Sequence, residues 1–177
     1  MEPAHHRRSI RLPGYDYSQP GGYFVTVCTK DRECVFGEVV EGEVRLNEAG
    51  RVIADTWKWL GRHYSYVELD EWVIMPNHLH AIVIMHANPT DEPGRGGSLT
   101  APTTIPKRKP LGRLIGAFKT VSAKRINESR GTPEGGVWQR DYFEHVIRDE
   151  EELRRIREYI AQNPLSWEID EENPGRS

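Results

Sequence analysis

Two β-rich runs, residues 66–75 and 78–86, meet at Pro76-Asn77, and this pairing constrains the fold more than any other feature of the sequence. Runs of β-branched, aromatic and aliphatic residues on either side of a turn predict antiparallel neighbours in one sheet. A third run, residues 22–30, begins after Pro20-Gly21 and alternates Tyr23, Val25 and Val27 against Phe24, Thr26 and Cys28, as a central strand does. Residues 35–40 and 43–46 predict a hairpin closed across Glu41-Gly42.

Helical spacing separates these runs. Asn47 offers an N-cap, and Ile53, Thr56, Trp57 and Leu60 recur at helical intervals to about His63. Leu111, Leu114, Ile115, Phe118 and Val121 mark an amphipathic helix that opens after Pro110 and ends near Gly131. Residues 137–148 read as extended, with Tyr142, Glu144 and Val146 on one side and Phe143, His145 and Ile147 on the other. Asp149 followed by Glu152 resembles a capping box, opening a last helix that Asn163-Pro164 stops. Residues 87–110, rich in proline and glycine, predict an exposed flexible loop, and residues 170–177 a frayed tail.

The order strand, helix, strand, strand, helix, strand is the split βαβ pattern of an α+β, ferredoxin-like fold: a mostly antiparallel sheet with helices on one face. At 177 residues, with 37% hydrophobic residues and five Trp, the chain suits one domain with a real core across residues 1–177. Two cysteines, Cys28 and Cys34, are too few for a disulfide scaffold. With neither an apolar signal core nor a run long enough to span a bilayer, the expectation is a cytoplasmic chain that does not enter the membrane.

The formal net charge of −3 argues against a nonspecific nucleic-acid binder, but the average conceals a split. Residues 105–130 carry a local +7, leaving −10 on the remainder. Cations gathered on one segment suit a phosphate-tracking surface, although a solvated helix face has the same composition. Arg113, Lys119, Lys124 and Arg125 are the candidate DNA-backbone contacts, with Trp138 or Tyr142 as a platform on which a base could stack.

His78 and His80 flank a single apolar residue, Leu79. Two apart on a strand, they share a face at a backbone separation of about 6 to 7 Å. That geometry fits a pair of imidazoles converging on one cation, and fits equally two hydrogen-bonded core histidines. On the last helix Leu153, Ile156 and Ile160 form the core-facing stripe, and Tyr159 and Asn163, four apart, sit together at its border. A phenol, with a pKa of about 10, needs a nearby cation or base to act as a nucleophile at neutral pH. The Asn163 amide oxygen is a candidate third metal ligand, and imidazole with hard oxygen suits Mg²⁺ or Mn²⁺. Alternatively, Tyr159 is a packing residue and Asn163 an ordinary helix terminator. His145 suits a supporting or packing role, and Tyr142, the rival nucleophile, lacks a polar partner one helical turn on.

Three motifs in order, Trp72…Met75-Pro76-Asn77-His78-Leu79-His80, Trp138-Gln139…Tyr142-Phe143-Glu144-His145-Val146-Ile147-Arg148 and Tyr159-Ile160-Ala161-Gln162-Asn163-Pro164, resemble the single-tyrosine HUH transposases, and among them the REP-associated tyrosine transposases. The resemblance implies that His78 and His80 are metal ligands, that Tyr159 is the catalytic tyrosine, and that Asn163 stands where insertion-sequence relatives carry a ligating Gln. It implies attack on single-stranded DNA to give a 5′-phosphotyrosine, on palindromic elements that fold into hairpins, with monomer and homodimer both open. Three other functions compete: a metal-dependent nuclease using activated water, an inactive DNA-binding regulator descended from such an enzyme, and a ferredoxin-like interaction module.

Overall fold

The computed structural model describes residues 12–87, 108–132 and 135–176; most of the loop expected at 87–110 lies outside them. Strand β1 (Gly21–Cys28) leads through a hairpin, β2 (Gly37–Val40) and β3 (Glu43–Leu46), into helix α1 (Glu48–His63). Strands β4 (Val67–Met75) and β5 (His78–Met85) follow, then helix α2 (Leu111–Arg130), strand β6 (Phe143–Ile147) and helix α3 (Glu150–Gln162). The four-stranded sheet has the order β4-β5-β1-β6 with every pair antiparallel, the α+β arrangement that the element order predicts.

Local chemistry sets the boundaries. The Asn47 side chain accepts from Gly50 N and caps α1, and Asp149 does the same for α3 through Glu152 N. Gly131 ends α2 in the left-handed region at φ 64°, its N–H reaching the carbonyls of Asn127 and Glu128. In the β2–β3 turn both Glu41 (φ 51°) and Gly42 (φ 77°) are left-handed, the backbone a two-residue hairpin favours. Only residues 143–147 of the expected stretch 137–148 join the sheet; Trp138 makes an isolated bridge to Thr29.

The faces of the sheet are covered differently. Tyr23, Val25, Val27, Leu79, Ala81 and Val83 belong to the main core with Trp57 and Leu60 of α1 and Leu114 and Phe118 of α2. Trp57 and Phe118 meet edge to face at 5.0 Å. The alternate residues of β1 and β5 point the other way, towards α3, where Phe24 touches Tyr159 with ring centroids 6.0 Å apart. The two helices of the split βαβ unit thus share one face, and α3 lies over the opposite one.

Gly50 tests whether packing or propensity governs α1. Alanine is the better helix former by about 1 kcal/mol, yet a Cβ here would come within 2.2 Å of the Phe36 carbonyl oxygen and 2.9 Å of Leu46 Cδ2. Gly50→Ala is therefore expected to destabilise the protein by about 1 to 3 kcal/mol, measured as a lower urea midpoint at unchanged slope.

Candidate active site

On the face under α3, strand β5 presents His78 and His80, both buried, with ring centroids 4.4 Å apart. Each imidazole is held through Nδ1. His78 Nδ1 lies 2.8 Å from Asn77 Oδ1, while Asn77 Nδ2 donates to the carbonyls of Arg32 (3.0 Å) and Glu172 (2.6 Å). Two carbonyl acceptors fix which end of the Asn77 amide carries the protons, so its oxygen accepts from His78 Nδ1–H and the Nε2 lone pair is left available. His80 Nδ1 shares a hydrogen bond of 2.8 Å with Thr26 Oγ1.

Burial holds both histidines well below the ordinary imidazole value, at about 3. For His78 the neighbouring Asn163 amide opposes the shift and Arg32 adds to it; for His80 the adjacent His78 adds and Asp170 opposes. Both rings are neutral at physiological pH, the form that binds a metal ion.

Helix α3 brings Tyr159 and Asn163 to the same place, as their four-residue spacing predicts. The Tyr159 hydroxyl lies 3.3 Å from His80 Nε2, and the residue is 49% exposed. Burial of the phenol, then the negative field of Asp170, push the Tyr159 pKa up; the Asn163 amide opposes this, and Glu171 and Glu172 reinforce it. Asn163 is buried at the helix end, and neither its Oδ1 nor His78 Nε2 has a hydrogen-bond partner among the described residues.

The last segment departs from the sequence expectation. Residues 170–176, expected to fray, instead fold back over the Pro76-Asn77 turn, held by the Asn77 bond to Glu172, by Arg32 Nη1 donating to the Glu171 carbonyl (3.1 Å), and by an Arg32–Glu172 ion pair at 3.1 Å. This places Asp170 Oδ2 3.9 Å from His78 Nε2. His78, His80 and Asp170 each offer a ligand atom within 4.8 Å of the others. Sequence reading missed Asp170, which looks like one more charge in a polar tail, and took Asn77 for a turn residue only. The donor set suits a divalent cation: two neutral imidazoles, a carboxylate, and an amide oxygen whose burial without a partner costs free energy unless a ligand satisfies it.

The expected DNA contacts lie elsewhere. Arg113 lines a cavity of about 500 Å³ beside α2 with Tyr15, Asp16, Tyr17, Pro110, Gly112 and Glu144. Lys124 is exposed and pairs with Glu128 at 3.8 Å, and Arg125 donates to Thr56 Oγ1 at 3.2 Å. Lys119 Nζ donates to the carbonyls of Gln139, Arg140 and Asp141 at 2.9 to 3.1 Å, and burial lowers its pKa to about 8. Trp138 Nε1 donates to Ser122 Oγ (2.9 Å) while its ring packs on Phe36 and Phe118. Tyr142 donates to Glu144 Oε2 at 2.5 Å. These residues belong with α2 and the loop entering β6, across the sheet from the histidines. His145 makes a 2.8 Å bond to Glu152, in keeping with a supporting role.

Comparison with known proteins bears on this arrangement. A protein of Haemophilus influenzae described as uncharacterized is 38% identical over 173 residues, covering 94% of this chain and 93% of that protein. A second, from the same organism and described as a "Putative REP-associated tyrosine transposase", is 26% identical over 153 residues, 85% of this chain and 73% of its own length. In sequence the chain thus resembles a REP-associated tyrosine transposase over most of its length. A solved REP-associated tyrosine transposase bound to a REP hairpin shares the fold, with a TM-score of 0.57 at 18% identity over 88% of this chain and 73% of that one. No family model matches the sequence. Among the described residues no helix is long and apolar enough to cross a membrane.

The buried histidines make stability pH-dependent. Each binds a proton near the ordinary imidazole value when unfolded but only near pH 3 when folded, so between these limits the unfolded chain holds more protons. Folding stability should fall as pH falls from about 6.5 towards 3, by up to about 1.4 kcal/mol per pH unit for each histidine. Denaturant titrations at pH 7 and pH 5 read this loss, and His78→Gln should reduce it.

Proposed function

We propose that this REP-associated tyrosine transposase relative cleaves and rejoins single-stranded DNA at hairpin-forming elements, with Tyr159 as nucleophile beside a divalent cation. The observation that carries this reading is the position of the Tyr159 hydroxyl, 3.3 Å from His80 Nε2, at a half-exposed rim beside the unpartnered His78 Nε2 and Asn163 Oδ1.

His78, His80, Asp170 and Asn163 would hold Mg²⁺ or Mn²⁺. A bound cation supplies charge neutralisation at the nonbridging phosphate oxygens and lowers the cost of forming a phenolate. Tyr159 presents its oxygen to the phosphorus; as the O–P bond forms, the bond to the 3′ oxygen breaks, the leaving oxygen takes a proton to become a hydroxyl, and the phenol proton passes to solvent. The product is a 5′-phosphotyrosine. Attack by a 3′-hydroxyl reverses the step and restores a phosphodiester without nucleotide hydrolysis. Asn77 and Thr26 orient the two imidazoles. The cations of α2, across the sheet from the nucleophile, would track the DNA backbone away from the scissile phosphate.

The test is a denaturing gel of the protein incubated with single-stranded hairpin DNA and Mn²⁺. The wild type should form a covalent adduct that Tyr159→Phe abolishes and that His78→Ala or His80→Ala reduces by at least about 100-fold. Strand cleavage without an adduct, undiminished in Tyr159→Phe, would instead indicate a nuclease using activated water.

Calorimetric titration with Mn²⁺ tests the ligand set separately. Asp170→Asn and Asn77→Ala should each weaken Mn²⁺ affinity by about 10- to 100-fold, the first by removing a donor charge, the second by releasing both the His78 ring and the residue 170–176 segment. Unchanged affinity in Asp170→Asn would remove Asp170 from the ligand set.

A further inference from the structure

Of the Phe, Tyr and Trp side chains among the described residues, two are exposed: Phe143 at 38% and Tyr159 at 49%. They occupy one site. Phe24, partly buried between them, meets Phe143 and Tyr159 with ring centroids 6.0 Å away in each case, edge to face, and stacks against His80 at 5.6 Å. The strand register explains the placement. His80 pairs with Thr26, and Thr26 with Phe143, so the three side chains form one row across the sheet on the face that α3 partly covers. Two strand spacings put the Phe143 backbone about 10 Å from that of His80. Among the described residues β6 pairs with β1 alone and is an edge of the sheet, and Phe143 on it is exposed.

An aromatic ring left exposed beside a reactive hydroxyl gives up burial that the core would reward. What it offers is a flat apolar surface within reach of a chain whose phosphate lies at the histidines. Arg155, exposed and one helical turn before Tyr159, adds a cation on the same side of α3. Aromatic surface, cation and phosphate-accepting site together are the chemistry of single-stranded nucleic acid, in which each base stacks while the backbone meets positive charge.

We propose that Phe143, backed by Phe24, is the stacking platform for the nucleobase adjoining the scissile phosphate. This rests on the proposed strand-transfer reading and moves the base platform from Trp138 and Tyr142, whose polar atoms are engaged with Ser122 and Glu144, to the neighbouring residue on the opposite face of the sheet.

The experiment measures binding without chemistry: fluorescence anisotropy of a labelled DNA hairpin with a single-stranded flank, in Mn²⁺, on a Tyr159→Phe background. Phe143→Ala should weaken binding by about 10-fold or more, Phe143→Leu should lose part of the affinity while keeping the apolar volume, and Phe143→Trp should restore it. A stacking contact also leaves the slope of log affinity against log salt unchanged, whereas a lost phosphate contact reduces it. Removing the base at one flank position, by an abasic site, should abolish the difference between Phe143 and Phe143→Ala. Equal affinity in Phe143→Ala, or a loss that persists at every abasic position, overturns the platform. A wild-type adduct with no effect at Phe143 sinks the platform alone; a Phe143 effect without any adduct sinks the proposed chemistry and leaves the platform standing. Absence of single-stranded DNA binding in the Tyr159→Phe protein, with Phe143 intact, overturns both.

Discussion

The two-residue alternation of β5, buried on both faces, is the constraint on which the rest depends. Leu79, Ala81 and Val83 fill the core under α1 and α2, and His78 and His80 turn to the other side. A slip of one residue would drive both imidazoles into the apolar core and lift leucine and valine under α3, so packing of one face fixes the chemistry of the other. Burying two imidazoles is unfavourable unless their polar atoms are satisfied. Asn77 and Thr26 satisfy one nitrogen of each, and the second nitrogens converge on a single small volume.

Electrostatics in that volume are lopsided. The histidines are neutral, and Asp170, with Glu171 and Glu172 behind it, brings negative charge from a segment that returns to the Pro76-Asn77 turn. The same field disfavours a phenolate at Tyr159 and would repel a phosphate. In the proposed reaction one cation reverses both effects, since it balances the carboxylate, stabilises the ionised phenol and attracts the DNA backbone. Cation and substrate binding at this site are thus expected to be coupled, each favouring the other.

Residues whose roles arise from local geometry were legible in the sequence. Alternation identified β1, the β-rich runs on either side of Pro76-Asn77 identified β4 and β5, Asn47, Gly131 and Asp149 marked helix ends through their own side chains or backbone, and the spacings of His78 with His80 and Tyr159 with Asn163 brought each pair together without knowledge of the fold. Asp170 was illegible because its position depends on a long-range anchor, the Asn77 amide reaching Glu172, which no spacing encodes. Lys119 misled for a related reason. On a helical wheel it is one more outward cation of α2, but the loop before β6 wraps it with three carbonyls, making it a brace for that loop.

The separation of α2 and α3 by the sheet also constrains how a DNA strand could use both. On the β4 side, Arg157 of α3 binds the Asp70 carboxylate through Nε at 2.8 Å and Nη2 at 2.5 Å, tying the helix down over that edge. On the β6 side, His145 meets Glu152 near the start of α3 at 2.8 Å, and the exposed Phe143 stands at that edge with Phe24 between it and Tyr159. A strand that contacts the cations of α2 and presents a phosphate to Tyr159 must pass around one edge of the sheet. Both edges carry a tie to α3, and the β6 edge alone adds an exposed aromatic surface along the path. In this reading the acidic average of the sequence and its basic segment reflect two faces of one sheet, with β6 as the route between them.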